Sequence, residues 1–207
     1  MPEPAERLIR DAATLGVSLS AADAARLLGL AAELERWNRT YNLTAITRPE
    51  EVLTHHLLDS LAVQADLAGT RIADVGTGAG FPGLPLALVN PARQFTLIDS
   101  NGKKVRFVAH AARTLGLANV EAVQARAEAL KPAVPFDTVL ARAFAPLPEL
   151  TAAVAGLCGP QTRLLAMKGR WPAEEIAALR EPWRIERTRE LKVPGLNEAR
   201  CLIVLRR

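Results

Sequence analysis

Sulfur, imidazole and aromatic rings are scarce in this chain of 207 residues, which holds two Cys, two Met, three His, three Trp, five Phe and one Tyr. Cys158 and Cys201 stand far apart with no ligand-like spacing. That pattern speaks against a disulfide framework or a structural zinc site and for reduced core thiols in a cytoplasmic protein. No metal is therefore expected. No apolar run approaches the ~20 residues that a membrane-spanning helix needs. The stretch Met1 to Gly16 carries Glu and Arg where a signal peptide would be apolar. Internal repeats, low-complexity tracts and flexible linkers are also missing, which excludes solenoids and disordered tethers.

What is present points to a globular chain. Hydrophobic residues make up 49%, and the length suits one α/β domain with a short appendage. Lys and Arg number 26 against 22 Asp and Glu, a formal charge of +4 that suits an anionic partner without demanding one.

The first third reads as helical. Residues 5–16 form a short helix closed by Gly16, and Ser20-x-x-Asp23 is a capping-box start for a longer one. Leu27, Leu30, Ala31, Leu34 and Trp37 make its apolar stripe. A further helix is predicted from Thr47-x-x-Glu50, with Pro49 in its first turn, to about Leu67. His55 and Asp59 would pair on it at spacing four, or His56 and Asp59 at spacing three, as a surface contact. From Arg71 onward strands alternate with helices. Strands are predicted at 71–76, 94–99, 120–125, 136–142, 162–168, about 184–193 and 200–206. Helices are predicted at 101–115, 147–157 and 173–180, and the last two strands should form an antiparallel hairpin across Gly195 to Glu198.

The most informative stretch is Arg71-Ile-Ala-Asp74-Val-Gly76-Thr-Gly78-Ala-Gly80, a strand that breaks into alternate glycines. Strand, glycine turn and helix start build the nucleotide crevice of an open α/β sheet. Gly78-x-Gly80-x-x-Gly83 also satisfies the dinucleotide fingerprint, so the glycines alone leave two cofactors open. Asp74 sits where a ligand amine would be met, and Asp99 ends the next strand, where it can accept from both ribose hydroxyls. In that order they resemble the first two cofactor motifs of class I S-adenosylmethionine methyltransferases.

Three strand ends carry cations: Arg126 after the third, Arg142 after the fourth, and Lys168 with Arg170 after the fifth. Arg142 and Lys168 stand at the predicted reaction edge and suit an anionic substrate. Lys103, Arg106, His110 and Arg113 line one face of helix 101–115, either a phosphate-binding stripe or a solvated face. Asn38, Arg39 and Asn42, beside Trp37 and Tyr41, are polar groups that packing alone does not call for. Neither an Asn/Asp-Pro-Pro-aromatic turn nor a suitably placed cysteine nucleophile follows the fourth strand. A ring nitrogen with a free lone pair, such as guanine N7, needs neither device.

Together the chain resembles the RsmG (GidB) family of bacterial 16S ribosomal RNA guanine-N7 methyltransferases. The resemblance runs nearly end to end, through Trp37-Asn38-x-x-Tyr41-Asn42-Leu43-Thr44, His56-x-Leu58-Asp59-Ser60, Asp74 to Gly83, Leu97-x-Asp99-Ser100 with Lys103-Lys104, Arg142-Ala143 and Lys168-Gly169. It implies a mainly parallel seven-stranded sheet with a C-terminal antiparallel hairpin, the class I methyltransferase fold, over 69–207. An N-terminal helical extension, 1–68, would pack on that core. It also implies S-adenosyl-L-methionine as cofactor and a guanine in the 530 loop of 16S ribosomal RNA, on the small ribosomal subunit or a precursor, as target. No membrane and no obligate protein partner are expected. Carried over by motif, Gly76, Phe81, Ala127, Glu128 and Arg142 would contact the cofactor together with Asp74, Gly78 and Asp99. Arg142 and Lys168 would position the substrate without a general base, and Asn38, Arg39, Asn42, Lys103, Arg106 and Lys168 would meet RNA. A methyltransferase acting on a small anionic metabolite, and a cofactor-binding module without turnover, fit the same residues.

Overall fold

A computed structural model describes residues 3–207. Its centre is a seven-stranded sheet in the order β3-β2-β1-β4-β5-β7-β6. The strands are β1 (Arg71–Val75), β2 (Gln94–Asp99), β3 (Val120–Gln124), β4 (Phe136–Arg142), β5 (Cys158–Lys168), β6 (Arg184–Glu190) and β7 (Cys201–Arg206). The first five pair in parallel, and β7 runs antiparallel between β5 and β6. Parallel neighbours need crossovers, and the helices that supply them cover both faces.

Alternation along each strand divides the core in two. Ile72, Leu97, Leu140, Leu165 and Leu202 face one way, into a cluster that also takes Leu8, Leu27, Leu30, Leu34 and Leu57 from the N-terminal helices. Ala73, Val75, Ile98, Val139, Leu164 and Ile203 face the other, against Leu147, Leu150 and Val154 of the helix Leu147–Val154. The first helix, α1, is Pro4–Thr14 and buries Leu8 and Ala12. The second, α2, is Ala21–Tyr41. Ser20 accepts from the Asp23 amide while the Asp23 carboxylate accepts from the Ser20 amide, and Asn42 closes the helix in the left-handed region at φ 49°. The capping box read from the sequence is present.

Several elements differ from the sequence reading, among them the helices predicted at 147–157 and 173–180, which end at Val154 and Ala177. The helix expected over 47–67 is a rod over 49–61 whose middle, Val52–Leu58, is π-helical. A 3-10 turn, Gln64–Asp66, follows it. A π turn carries more than 3.6 residues, so His55 and Asp59 no longer stack on one another. His55 instead pairs with Glu198 at 3.1 Å, and Asp59 turns inward to Arg142. The fifth strand begins at Cys158 rather than 162, because Phe136 pairs with Cys158 across a register shift. Thr162 spans that irregularity, accepting from the Gly159 amide at 2.8 Å and donating to the Phe136 carbonyl at 2.6 Å. The sixth strand stops at Glu190, after which Leu191 and Val193 dip into the core.

Among the described residues no helix is long and apolar enough to cross a membrane. The parallel topology gathers the carboxyl ends of β1 to β5 along one edge, and the polar residues flagged in the sequence converge there.

Candidate active site at the carboxyl ends of the strands

After β1 the chain turns through Gly76, Gly78 and Gly80, at φ of 68°, 61° and 86°. Side chains disfavour that region, so glycine sets the turn's shape. Asp74 lies wholly buried under the loop. Its Oδ2 accepts from Thr77 Oγ1 at 2.7 Å and from the Gly83 amide at 2.8 Å, while Oδ1 has no partner. Burial raises its pKa to about 6 against the pull of those two donors. Asp74 therefore holds the loop from beneath, with its oxygens covered by protein.

Asp99, at the end of β2, accepts from the Gly78 amide at 2.9 Å through Oδ2 and from the Asn101 amide at 2.8 Å through Oδ1. A carboxylate has about four acceptor sites, so lone pairs remain for a diol. Gly76, Asp99, Lys104, Arg126, Ala127, Glu128, Ala143 and Phe144 line a crevice of about 280 Å³. A Cβ on Gly78 would meet nothing nearer than the Gly76 carbonyl at 4.0 Å, so bare backbone faces open space. Exposed main chain, an acid with spare lone pairs and an apolar slot at Ala127 form a cradle that fits S-adenosylmethionine.

A second cavity of about 410 Å³ adjoins the first, sharing Ala143 as wall. Arg142 reaches into it from the end of β4, donating to Asp59 Oδ2 at 2.9 Å and to the His55 carbonyl at 2.8 Å. Arg200, just before β7, approaches Asp59 from the other side at 3.5 Å, too long for the hydrogen bond that Oδ1 otherwise lacks. His56 stacks on Phe81 with ring centres 4.5 Å apart, and its Nε2 lies 3.1 Å from Thr44 Oγ1. Burial, then the charges of Arg142 and His55, lower the His56 pKa to about 3, so it is neutral in the fold. Lys168 donates to the Ala145 carbonyl at 2.8 Å and to Glu175 at 2.7 Å. Glu175 also accepts from the Leu147 amide at 2.7 Å.

The fold thus brings Gly76, Asp99, Ala127 and Glu128 around one crevice, with the Gly78 amide bonded to Asp99, and Arg142 and Lys168 around the next. Phe81 is buried below Arg142. Of the polar residues near Trp37, Asn38 is half-buried while Arg39 and Asn42 are exposed. The Asn38 side chain pairs twice with the Thr44 backbone, each bond 2.9 Å, and Asn42 caps α2. Arg39 is exposed and paired with Glu35. Lys103 and Arg106 are exposed and take part in no ion pair among the described residues. Asp59, Arg200 and Glu175 escaped the sequence reading as parts of the site. Arg200 opens the last predicted strand, but its partner Asp59 lies far off in sequence.

A groove of about 650 Å³ between α1, α2 and segment 47–57 is larger than either cavity. It lies away from the strand ends, and of its charged residues Arg7 and Glu50 are paired with each other.

Comparison with known proteins agrees with this geometry. The family model described as rRNA small subunit methyltransferase G matches residues 23–204. The protein called ribosomal RNA small subunit methyltransferase G in Pseudomonas paraeruginosa is 47% identical over 204 residues, covering 98% of this chain and 95% of that one. Its namesake in Xanthomonas oryzae pv. oryzae is 50% identical over 190 residues, covering 92% and 90%. Among solved structures, the Bacillus subtilis M1A22 tRNA methyltransferase TrmK superposes with a TM-score of 0.58 at 13% identity, covering 72% of this chain and 64% of that one. TrmN from Thermus thermophilus superposes with a TM-score of 0.57 at 23% identity, covering 75% and 53%. Those two likenesses speak to the fold, that of the class I S-adenosylmethionine-dependent methyltransferases. The sequence matches go further: the chain belongs to the rRNA small subunit methyltransferase G family.

Proposed function

We infer that this protein transfers a methyl group to N7 of a guanine in 16S ribosomal RNA, within the 530 loop. The observation that carries the reading is the adjacency of the two cavities, the glycine-and-Asp99 crevice on one side of Ala143 and the cationic pocket on the other. Bound S-adenosylmethionine would supply a methyl group on a positively charged sulfur. Asp99 would hold the ribose, Ala127 and Glu128 the adenine, and the Gly76–Gly78 backbone the amino-acid end. Asp74 acts on that grip indirectly, by fixing the loop.

Guanine N7 carries a lone pair and no proton, so no side chain has to remove one. The enzyme's task is alignment of the reacting atoms, which is catalysis by positioning. Arg142 would fix the nucleotide from the end of β4, with Asp59 and the His55 carbonyl fixing Arg142 in turn. Lys168 is tied to Glu175, so its part is to hold the two turns that frame the pocket. Lys103 and Arg106, exposed on the helix Gly102–Thr114, suit phosphate contacts.

The test is to map 7-methylguanosine in 16S ribosomal RNA from cells with and without the gene. Loss of the mark, restored by the wild-type gene and not by an Asp99→Ala copy, is the expected result. An unchanged map would overturn the reading.

A further inference from the structure

The rings at the reaction edge are harder to explain by folding than the charges. Among the described residues the exposed large hydrophobic side chains are Tyr41, Val134, Phe144 and Trp171, the last two 37% and 55% exposed. Phe144 follows β4 and Trp171 follows β5, which are parallel neighbours. Arg142 is in register with Met167, so the two turns leave the sheet at the same level. They are also fastened together, because Lys168 and Glu175 bridge the backbone at Ala145 and Leu147. Ala143, which aims Phe144, adopts φ 50°, a strained value for a residue with a side chain. Phe144 lies against Gly76 so closely that a Cβ there would come within 2.5 Å of its ring. Phe144 is thus held against Gly76 two residues after Arg142, and Trp171 stands exposed three residues after Lys168 on the fastened turn.

We propose that Phe144 and Trp171 are stacking platforms for unpaired RNA bases, so that the enzyme takes its target from a single-stranded segment. The proposal rests on the reading of RNA guanine methylation above and adds the form of the substrate. N7 lies on the major-groove edge of guanine. In an A-form helix that groove is deep and too narrow for side chains to enter. A guanine can bring N7 to the crevice only after leaving its helix, and it then loses its stacking neighbours. Aromatic faces replace them without regard to base identity. Phe144, beside the wall shared by both cavities, is placed for the target base, and Trp171 for a neighbouring one.

The experiment uses a short unpaired oligoribonucleotide containing guanine and the same strand annealed to its complement. The wild type should bind the unpaired form at least about tenfold more tightly. Phe144→Ala and Trp171→Ala should each weaken that binding by roughly 5- to 150-fold. Phe144→Tyr and Trp171→Phe should largely retain it, whereas Phe144→Leu should not. The dependence on salt should stay at the wild-type slope, since no cation is removed. Equal affinity for duplex, or leucine serving as well as tyrosine, would overturn the proposal. So would loss of S-adenosylmethionine affinity by Phe144→Ala matching its loss of RNA affinity, which would make the ring part of the cofactor wall. Methyl transfer by the wild type to small-subunit RNA is measured in parallel. Transfer together with equal duplex binding sinks this inference alone, and no transfer sinks the functional reading instead.

Discussion

Asp59 Oδ2 and Arg142 Nη1 lie 2.9 Å apart, joining the N-terminal rod to the end of β4 across the floor of the second cavity. The Asp59 side chain is 3% exposed, so its charge depends on Arg142 and on the longer contact with Arg200. Removing one partner of a buried pair leaves the other uncompensated, at a cost of about 3 kcal/mol or more. Asp59→Ala should lower stability by that order in denaturant titrations. The double variant with Arg142→Met should recover part of the loss, and strict additivity would show that the two residues are not coupled.

Asp99→Ala should weaken S-adenosylmethionine binding about ten- to hundredfold, since hydrogen bonds to charged groups contribute roughly 1.5–3 kcal/mol. Asp99 also holds the Gly78 and Asn101 amides, so Asp99→Asn is the gentler comparison. Calorimetry that found both variants binding like the wild type would remove Asp99 from the cofactor site.

Strands, glycine loop and Asp99 were legible because each is written locally: an apolar run, φ above zero, an acid at a strand end. The π turn at Val52–Leu58 was not, because its residues are ordinary helix formers and tertiary contacts set its pitch. The ion pair of Lys168 was hidden for a related reason. Its place at the edge follows from β5, but its neutralisation comes from Glu175 on the next short helix, Ala173–Ala177. Asn38 looked free for RNA only because its partner, Thr44, lies beyond the helix end that Asn42 creates.

Lys103→Ala and Arg106→Ala should each reduce the slope of log affinity for small-subunit RNA against log salt by roughly one unit. Lys168→Ala, whose charge is already met by Glu175, should leave that slope nearly unchanged while lowering stability. A salt series on the three variants decides between phosphate contacts and a merely solvated helix face.

His56 and Asp74 should give opposite pH signatures. His56 is held neutral with its pKa lowered to about 3, whereas the unfolded chain takes up a proton below about 6.5. The unfolded state then binds the extra proton, so this contribution to stability is lost as pH falls from about 6.5 toward 3. Asp74 behaves in reverse. Its pKa is raised from 3.8 to about 6, so the folded state holds the extra proton between those values and stability falls as pH rises. Each slope is about 1.4 kcal/mol per pH unit at most. Relative to wild type, Asp74→Asn should gain stability from pH 4 to 6, and His56→Gln should gain it as pH falls through the same range. Thermal melts across that range that showed the same sign for both variants would contradict the assigned burial.

Base-free transfer predicts small kinetic losses at the histidines. Proton abstraction is typically worth about 10²–10⁴-fold. With both substrates saturating, single-turnover rates of folded His55→Ala and His56→Ala should fall by less than that and keep the wild-type pH profile between 6 and 9. A larger loss with an altered profile would argue for a proton transfer and against N7 as the acceptor.

The cluster that joins Leu8, Leu27 and Leu57 to Ile72, Leu97 and Leu202 has a consequence for how the molecule fails. Helices α1 and α2 form part of the layer covering one face of the sheet, so they cannot detach without wetting the strands that carry the glycine loop. Heat should therefore melt the protein in one calorimetric peak, and protected amides of α2 should exchange through the same opening as those of β1. The helical layer and cofactor capture by the sheet would then share a single cooperativity: a lesion that loosens Leu27 would empty the cofactor crevice as surely as one at Asp99.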